Sequence, residues 1–277
     1  MNQPNPVQAH YATQGLLARV EEALSQSGLA TDLIEWSQLS AMDQFHVRGL
    51  PATQELAAAL GLYPGQHILD VGAGLGGPAR YLAAAHGCEV TGLELSPEFV
   101  EVADLLTART GLQAQVRFVQ GDALQLPFAV ESFDHAWTQH VGMNIRDKAG
   151  LYRGIHRVLK PGGRLAIYDA VRGEQEPVIY PVPWASDASI SFLASPDEMR
   201  QMLEEAGFTV ASEEDTTAVA RTWFMEVQSA VPPAGTSNLP NLAQVIGPQA
   251  RQMTANFGRN VLEGRIRLLR IIVQKNG

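Results

Sequence analysis

The stretch HILDVGAGLGG, residues 67–77, decides the fold of this chain. A short apolar run ends at Val71 and leads into glycines at positions 72, 74 and 77, which fit the spacing G-x-G-x-x-G. Glycine is favoured where a chain turns tightly and where a ligand approaches the backbone closely. Because the helical pattern ARYLAAAHG follows directly, the stretch predicts a strand, a ligand-binding turn and a helix.

Downstream of this stretch, short apolar runs continue to alternate with helical patterns. Such alternation predicts an α/β fold built on a doubly wound, mostly parallel sheet. Ser-Pro pairs mark two helix starts, at Ser96 and at Ser195, and Glu198 completes a capping box at the second. The further strand candidates are EVTGLEL, VRFVQGD, FDHAWTQ, RLAIYDA, FTVASEEDTT and the terminal RIRLLRIIVQK.

The chain outside this alternation is helical in pattern. Residues 1–62 carry apolar positions at helical spacing, so we predict an N-terminal helical cap segment. Residues 63–277 are predicted to form the α/β core, with a helical insertion at about residues 218–262 before the last strand. We expect both helical segments to lie over the carboxyl ends of the strands.

Composition restricts the classes of partner and site. The 277 residues carry a net charge of −9, which disfavours nucleic acid and anionic membranes as partners. Cys88 is the single cysteine, so an internal disulfide and a multi-thiolate zinc site are excluded, and no metal is predicted. The polar start lacks a secretory signal, and apolar runs are too short for a membrane span. We therefore expect a soluble, cytoplasmic protein.

Three carboxylates follow strands that should end at one edge of the sheet. Glu94 ends the second strand at the spacing expected of a ribose-binding acid. Asp70 directly precedes the glycines, where it would repel a pyrophosphate but tolerate a sulfonium and an ammonium. Asp122, in Gly-Asp-Ala after the third strand, is suited to an adenine amine. The pattern favours an adenosine cofactor that is not a dinucleotide.

With these features and Arg-Val-Leu-Lys-Pro-Gly-Gly at residues 157–163, the sequence closely resembles the class I S-adenosylmethionine-dependent methyltransferases. The resemblance covers roughly residues 40–217. Within the family, GLGGPARYLA and TQHVGMNIRDK are most similar to the small-molecule group that includes sarcosine and dimethylglycine N-methyltransferases. The resemblance implies a seven-stranded sheet whose last strand is antiparallel, and it implies S-adenosyl-L-methionine as the cofactor.

The resemblance also implies roles for individual residues. Glu94 should bind the ribose, Leu95 should lie against the adenine, and Asp122 should meet the adenine amine. Gln139, at the tip of the fourth strand, should contact the methionine part of the cofactor. Residues of the glycine loop and the neighbour of Asp122 complete the predicted cofactor site: Asp70, Gly72, Gly74, Leu75 and Ala123.

Candidate catalytic residues follow the fourth strand. His140 could orient or deprotonate the acceptor, or could be a histidine satisfied at a strand end. Relatives often carry a histidine where this chain has Asn144, and that histidine acts with an N-terminal tyrosine as a latch. Asn144 has no titratable proton, which leaves it a hydrogen-bonding role. Tyr11 could still close the site, or could simply pack on a helix face.

Two further segments are candidates for substrate binding. His46, in the segment Asp-Gln-Phe-His before the core, could reach the site from the cap. The long connection at about residues 171–194 contains Tyr180 and Trp184, which could hold a methylammonium group by cation–π contact. The alternative is a proline-rich loop that packs on the core through Trp184.

The sequence thus predicts an enzyme that transfers a methyl group to a small-molecule acceptor. N-methylation of an amine such as a glycine derivative is favoured, with O- or C-methylation of a metabolite close behind. One alternative is a protein of the same fold that binds the cofactor without methyl transfer, and a less favoured one is an NAD-dependent oxidoreductase. The cap could cover the site alone or pair with a second subunit in a homodimer.

Overall fold

The computed structural model describes residues 7, 10, 15–29, 33–229, 240–241, 247 and 249–276. Within them, seven strands form one sheet. The strands are β1 (His67–Val71), β2 (Glu89–Glu94), β3 (Val116–Gln120), β4 (Phe133–Gln139), β5 (Leu159–Arg172), β6 (Phe208–Asp215) and β7 (Ile266–Lys275). Their order is β3-β2-β1-β4-β5-β7-β6, and β7 runs antiparallel to both of its neighbours. The predicted fold class is confirmed.

The helices alternate with the strands as the sequence predicts. The Ser96 side chain accepts a hydrogen bond from the Phe99 amide, and Ser195 forms the predicted capping box with Glu198. The helices are α1 (Leu16–Gln26), α2 (Ser40–Asp43), α3 (Leu50–Leu60), α4 (Gly77–His86), α5 (Pro97–Arg109), α6 (Lys148–Val158), α7 (Pro196–Glu205), α8 (Thr217–Ser229) and α9 (Ala250–Leu262). Single 3-10 turns occur at Trp36–Leu39, Gly142–Asn144 and Ala188–Ile190.

Both faces of the sheet are covered. Ile68 and Leu69 are adjacent in β1 and point to opposite faces, and each is fully buried. Ile68 belongs to a core cluster with Leu56 of α3, whereas Leu69 belongs to a second cluster with Leu151 of α6. Burial on both sides explains why β1 and the central part of β5, residues 165–171, are mostly apolar.

The N-terminal helices and the insertion pack at different places on the core. In α1, Leu16, Val20 and Leu24 are buried in a cluster with residues of α5. The insertion contacts the connection between β5 and α7, because the Asn260 side chain donates to the carbonyl of Ile179 and accepts from its amide, each at 2.8 Å. In the described part of the chain, no helix combines the length and the apolar character that a membrane span requires.

Candidate active site

A cavity of about 490 Å³ opens at the carboxyl ends of β1, β2 and β4. This edge is where open α/β sheets bind ligands. The glycine loop, the turn after β4 and the N-terminal segment at Asp43 and His46 all contribute to its wall. The connection after β5 adds Trp184, and α9 adds Met253. Both predicted cap segments therefore supply residues to the cavity.

The glycine loop has the backbone geometry that its sequence requires. Gly72 and Gly74 adopt positive φ angles of 76° and 55°, in the left-handed region that favours glycine. The Gly72 amide donates to the Leu93 carbonyl at 2.8 Å, which ties the loop to β2. Leu75 differs from the other residues of the predicted cofactor site. Its side chain is fully buried in the cluster beneath α1 and does not line the cavity.

Glu94 is fixed at the edge of the cavity by two backbone amides. Its Oε2 accepts from the Gly74 amide at 3.0 Å and its Oε1 accepts from the Ser96 amide at 2.9 Å. Burial raises the pKa of Glu94, and these amides oppose the rise. Since each carboxylate oxygen can accept a second hydrogen bond, Glu94 could still accept from a ligand diol.

Two polar side chains at the floor of the cavity have unused acceptor oxygens. Among the described residues, Asp70 Oδ2 and Gln139 Oε1 are buried without a hydrogen-bond partner. Burial raises the pKa of Asp70 to about 7, and the neighbouring Glu94 carboxylate acts in the same direction. Unpaired buried acceptors are costly, so this part of the cavity is suited to a ligand that donates hydrogen bonds.

A third carboxylate lies beyond β3. Asp122 and Ala123 line the cavity together with Leu95 and Phe99, so a polar acceptor stands beside an apolar slot. Asp122 Oδ1 accepts from the Leu124 amide at 2.9 Å, which fixes the side chain within its own turn. This arrangement could hold a flat, apolar ring that carries an amine.

His140 lines the cavity just beyond the end of β4, in a strained backbone conformation. Its φ is 55°, and its amide donates to the Tyr168 carbonyl at 2.8 Å. Its Nε2 is buried and has no hydrogen-bond partner among the described residues. Burial lowers the pKa of His140 well below its usual value, and the nearby His46 lowers it further. His140 is therefore neutral at pH 7 and does not change its charge near neutral pH.

His46 also lines the cavity, as the sequence allowed. Its Nε2 lies 3.0 Å from the Gly49 carbonyl, so this nitrogen carries a proton and donates. Burial lowers the pKa of His46 to about 4. The hydroxyl of Thr53 lies 3.0 Å from the same nitrogen and donates to the Gln44 side chain. His46 is therefore a neutral wall residue held in one orientation.

The remaining substrate and catalytic candidates divide into three cases. Asn144 and Trp184 both line the cavity, and Asn144 Nδ2 donates to the Trp184 carbonyl at 2.8 Å and to the Ile190 carbonyl at 3.1 Å. Trp184 is 1% exposed and packs edge-to-face on Phe257. Tyr180 packs on the core and does not line the cavity, so the two aromatic residues do not form a cage there. Tyr11 lies outside the described residues.

Sequence reasoning missed several residues of the cavity wall. Arg146 lies 4.5 Å from the centre of the Phe192 ring, and both line the cavity. His10 Nε2 lies 3.1 Å from the Pro183 carbonyl. Met253 comes from α9, more than 100 positions along the chain from the turn after β4. Arg146 lies within TQHVGMNIRDK and Phe192 lies within the connection at about residues 171–194, so the sequence indicated both segments but neither residue.

Comparison with known proteins decides the family. Residues 69–167 match the family described as a methyltransferase domain. Methyltransferase GfsG of Streptomyces halstedii is 33% identical over 212 residues, which cover 76% of this chain and 75% of GfsG. The chain belongs to the S-adenosylmethionine-dependent methyltransferases. This assignment decides against the oxidoreductase alternative.

Other methyltransferases match over shorter shares of their length. Sterol 24-C-methyltransferase ERG6B of Gibberella zeae is 38% identical over 149 residues, which are 51% of this chain but only 39% of ERG6B. O-methyltransferase resE of Aspergillus sclerotiorum is 33% identical over 176 residues, covering 63% of this chain and 67% of resE.

Solved structures share the fold at low sequence identity. A putative sarcosine dimethylglycine methyltransferase from Galdieria sulphuraria has a TM-score of 0.68 at 19% identity, covering 95% of this chain and 98% of that one. Geranyl diphosphate C-methyltransferase from Streptomyces coelicolor, solved with S-adenosyl-L-homocysteine, has a TM-score of 0.65 at 18% identity, covering 81% and 78%. These likenesses support the methyltransferase fold.

The cavity of this methyltransferase fits S-adenosylmethionine. The cofactor's hydrogen-bond donors are a ribose diol, an adenine amine and an α-ammonium group, and the cavity presents acceptor-only carboxylates along one side. Asp70 Oδ2 and Gln139 Oε1 are orphaned acceptors in the absence of a ligand that donates to them. Glu94, Asp122, Gln139 and the backbone of the glycine loop are the groups that could hold it.

Proposed function

We propose that this methyltransferase methylates a hydroxyl oxygen of a predominantly apolar small metabolite, with His140 as the base that accepts the hydroxyl proton. The observation that carries the proposal is the Nε2 of a neutral His140, which is buried in the cavity wall and has no partner among the residues that the structure describes. A neutral imidazole nitrogen accepts a proton, whereas the protonated form does not. O-methyltransferases among the relatives, such as resE, agree with this choice.

The distribution of charge supports oxygen as the acceptor over nitrogen. The carboxylates that line the cavity are Asp43, Asp70, Glu94 and Asp122, all on the glycine-loop and β3 side. The described wall near His140 combines the apolar Met143, Ile190, Phe192 and Met253 with the polar Asn144 and the cationic Arg146. A protonated amine needs a carboxylate or an open aromatic face. Among the described residues, this end of the cavity presents the cation Arg146, which lies over the Phe192 ring, and no carboxylate. N-methylation of a glycine derivative, which the sequence favoured, is therefore the weaker proposal.

The cofactor roles from the sequence analysis are part of the same proposal. Glu94 would accept from the ribose diol, and Asp122 would accept from the adenine amine beside Leu95 and Ala123. Asp70, Gln139 and the backbone at Gly72 and Gly74 would surround the methionine part. The orphaned oxygens of Asp70 and Gln139 and the fixed geometry of Glu94 support this assignment.

The catalytic contribution of the chain is mainly positional. Bound S-adenosylmethionine supplies an electrophilic methyl carbon on its sulfonium. The walls from α9 and from the connection after β5 would hold the acceptor oxygen in line with that carbon, an effect worth up to about 7 to 11 kcal/mol in well-oriented reactions. His140 would take the hydroxyl proton at Nε2, which adds about 10² to 10⁴ in rate.

Matched acceptors test the proposal. We would incubate the protein with deuteromethyl S-adenosylmethionine and pairs that differ only at the acceptor, such as alkylphenols and alkylanilines, together with isoprenoid alkenes. Mass spectrometry and NMR of the products locate the transferred methyl group. We expect it on oxygen. Transfer only to nitrogen or only to carbon would overturn the proposal, and S-adenosylhomocysteine binding without transfer to any class would favour the non-methylating alternative.

A further inference from the structure

Asp43 is a buried carboxylate that the proposed function does not use. It ends α2 in the N-terminal segment, is only 4% exposed and lines the cavity. Its Oδ2 accepts from Arg80 Nη2 at 2.8 Å. Its Oδ1 is buried and has no hydrogen-bond partner within the described part of the chain. One oxygen is thus held by an ion pair while the other is left for a ligand.

Arg80 fixes this carboxylate to the glycine loop. The Arg80 side chain is fully buried, and its Nη2 also donates to the Leu75 carbonyl at 2.6 Å. Its Nη1 donates to Thr107 Oγ1 of α5 at 3.1 Å. Three parts of the chain, the N-terminal segment, the glycine loop and α5, therefore meet at one guanidinium. Such a multiply bonded arginine holds Asp43 in one orientation.

The third glycine of the motif makes room for Asp43. A Cβ atom at position 77 would lie 2.5 Å from Asp43 Oδ1 and 2.6 Å from the Asp43 carbonyl oxygen. Both distances are too short for real atoms, so only glycine lets the N-terminal segment lie directly against the start of α4. Asp43 is consequently part of the wall formed by the glycine loop.

The chemistry of the cofactor identifies what Asp43 would accept from. A carboxylate is an acceptor only, and the cofactor offers three kinds of donor. In the proposed function, Glu94 at the end of β2 accepts from the ribose diol, and Asp122 beyond β3 accepts from the adenine amine. The donor left for the glycine-loop side is the α-ammonium group, whose three hydrogens could serve Asp43 together with Asp70 and Gln139.

We infer that Asp43 is a cofactor-binding residue that accepts a hydrogen bond from the α-ammonium group of S-adenosylmethionine, so that the N-terminal segment completes the cofactor site. Burial raises the pKa of Asp43 and Arg80 opposes the rise, and a bound cation would favour the charged carboxylate further. The inference rests on the cofactor and on the placement of Glu94 and Asp122, and it is independent of the acceptor class.

Binding of two matched ligands tests the inference without any acceptor. The ligands are S-adenosylhomocysteine and its deaminated analogue, in which hydrogen replaces the α-ammonium group. Isothermal titration should show that Asp43→Asn weakens S-adenosylhomocysteine binding about 10-fold or more, the usual cost of a hydrogen bond between charged groups. Affinity for the deaminated analogue should change less than about threefold.

Two further variants keep the test decisive. Because Asp43→Asn leaves Arg80 buried without its counterion, the double variant Asp43→Asn with Arg80→Met removes both charges, and it should show the same selective loss. Asp197→Asn, a highly exposed position on α7, is the matched control and should bind both ligands as the wild type does. Equal weakening of both ligands, or unchanged S-adenosylhomocysteine affinity in a folded variant, would overturn the inference.

Discussion

The ring centres of His46 and His140 lie 6.1 Å apart in the wall of the cavity. Burial lowers the pKa of both imidazoles, of His46 to about 4. Both are therefore neutral at pH 7, but they differ in their hydrogen bonds. His46 Nε2 donates to the Gly49 carbonyl, whereas His140 Nε2 is without a partner among the described residues. Of the two, His140 is the one free to accept a proton at Nε2.

Replacing His140 by Asn should lower kcat by about 10² to 10⁴, because the substitution removes the proposed base. S-adenosylhomocysteine affinity should stay near that of the wild type. The His140 imidazolium cannot accept a proton, so wild-type activity should fall only when the pH drops below the lowered pKa of His140. Titration of His140 should therefore cause no change in kcat between pH 6 and 9. His86→Asn, away from the cavity, is the control. Wild-type kinetics in His140→Asn would remove this residue from the mechanism.

Asp70 should make the ligand-free protein less stable as the pH rises. Its folded pKa of about 7 lies above the ordinary value of 3.8, so the folded state holds the proton more tightly than the unfolded chain does. The stabilisation is complete below about pH 4 and is lost as the pH rises through about 7, by up to about 1.4 kcal/mol per pH unit. Denaturation of Asp70→Asn between pH 4 and 8 should show a smaller decrease than Asp197→Asn. Identical slopes would contradict the prediction.

Glu94→Ala should weaken S-adenosylhomocysteine binding by roughly 1.5 to 3 kcal/mol, the cost of losing hydrogen bonds to a charged group. The variant also loses the acceptor that holds the Gly74 and Ser96 amides, so Glu94→Gln, which retains one side-chain carbonyl, should be less affected. Calorimetric titration measures both. A folded Glu94→Ala variant with unchanged affinity would remove Glu94 from the cofactor site.

Asn144→Ala should loosen the connection after β5, because two buried carbonyls, of Trp184 and Ile190, lose their donor. We expect a loss of about 1 to 3 kcal/mol in the free energy of unfolding and a higher KM for the acceptor. Asn144→Asp should be worse, since an ionised carboxylate cannot donate. Urea denaturation provides the measurement, with the exposed Asn276→Ala as control. No change in stability would argue against a structural role for Asn144.

We propose that the described parts of residues 1–62 and 218–262 belong to a helical cap whose order increases when ligand binds. Lids are drawn from the less stable parts of a structure, and Asp43, His46 and Met253 bring both segments to the cavity wall. Amide hydrogen exchange should slow in α2 and α9 on addition of S-adenosylhomocysteine. The core strand β1 serves as an internal reference. Protection confined to the core would count against a cap.

The local parts of the site could be read from the sequence because they depend on short-range rules. The turn at residues 72–77 needs glycine at positive φ, and Glu94 and Asp122 follow directly from strand ends. Leu75 shows the limit of such reading. It lies within the motif, but the turn points its side chain into the cluster beneath α1.

Side chains that come from distant parts of the chain could not be placed in this way. Met253 is separated from His140 by more than 100 positions, and no local pattern indicates that the two share a cavity. The same holds for Tyr180 and Trp184, which are four residues apart. Trp184 reaches the cavity wall, while Tyr180 packs elsewhere on the core.

The sequence by itself determined the doubly wound sheet and the cofactor, because hydrophobic periodicity and the glycine spacing are properties of neighbouring residues. Only the tertiary structure decided the protonation state of His140, since that depends on burial beneath segments far away in the chain. It also decided the place of Asp43, whose carboxylate reaches the glycine loop through a buried ion pair with Arg80 across 37 positions. Desolvation and long-range packing are collective, so no single stretch of sequence encodes them.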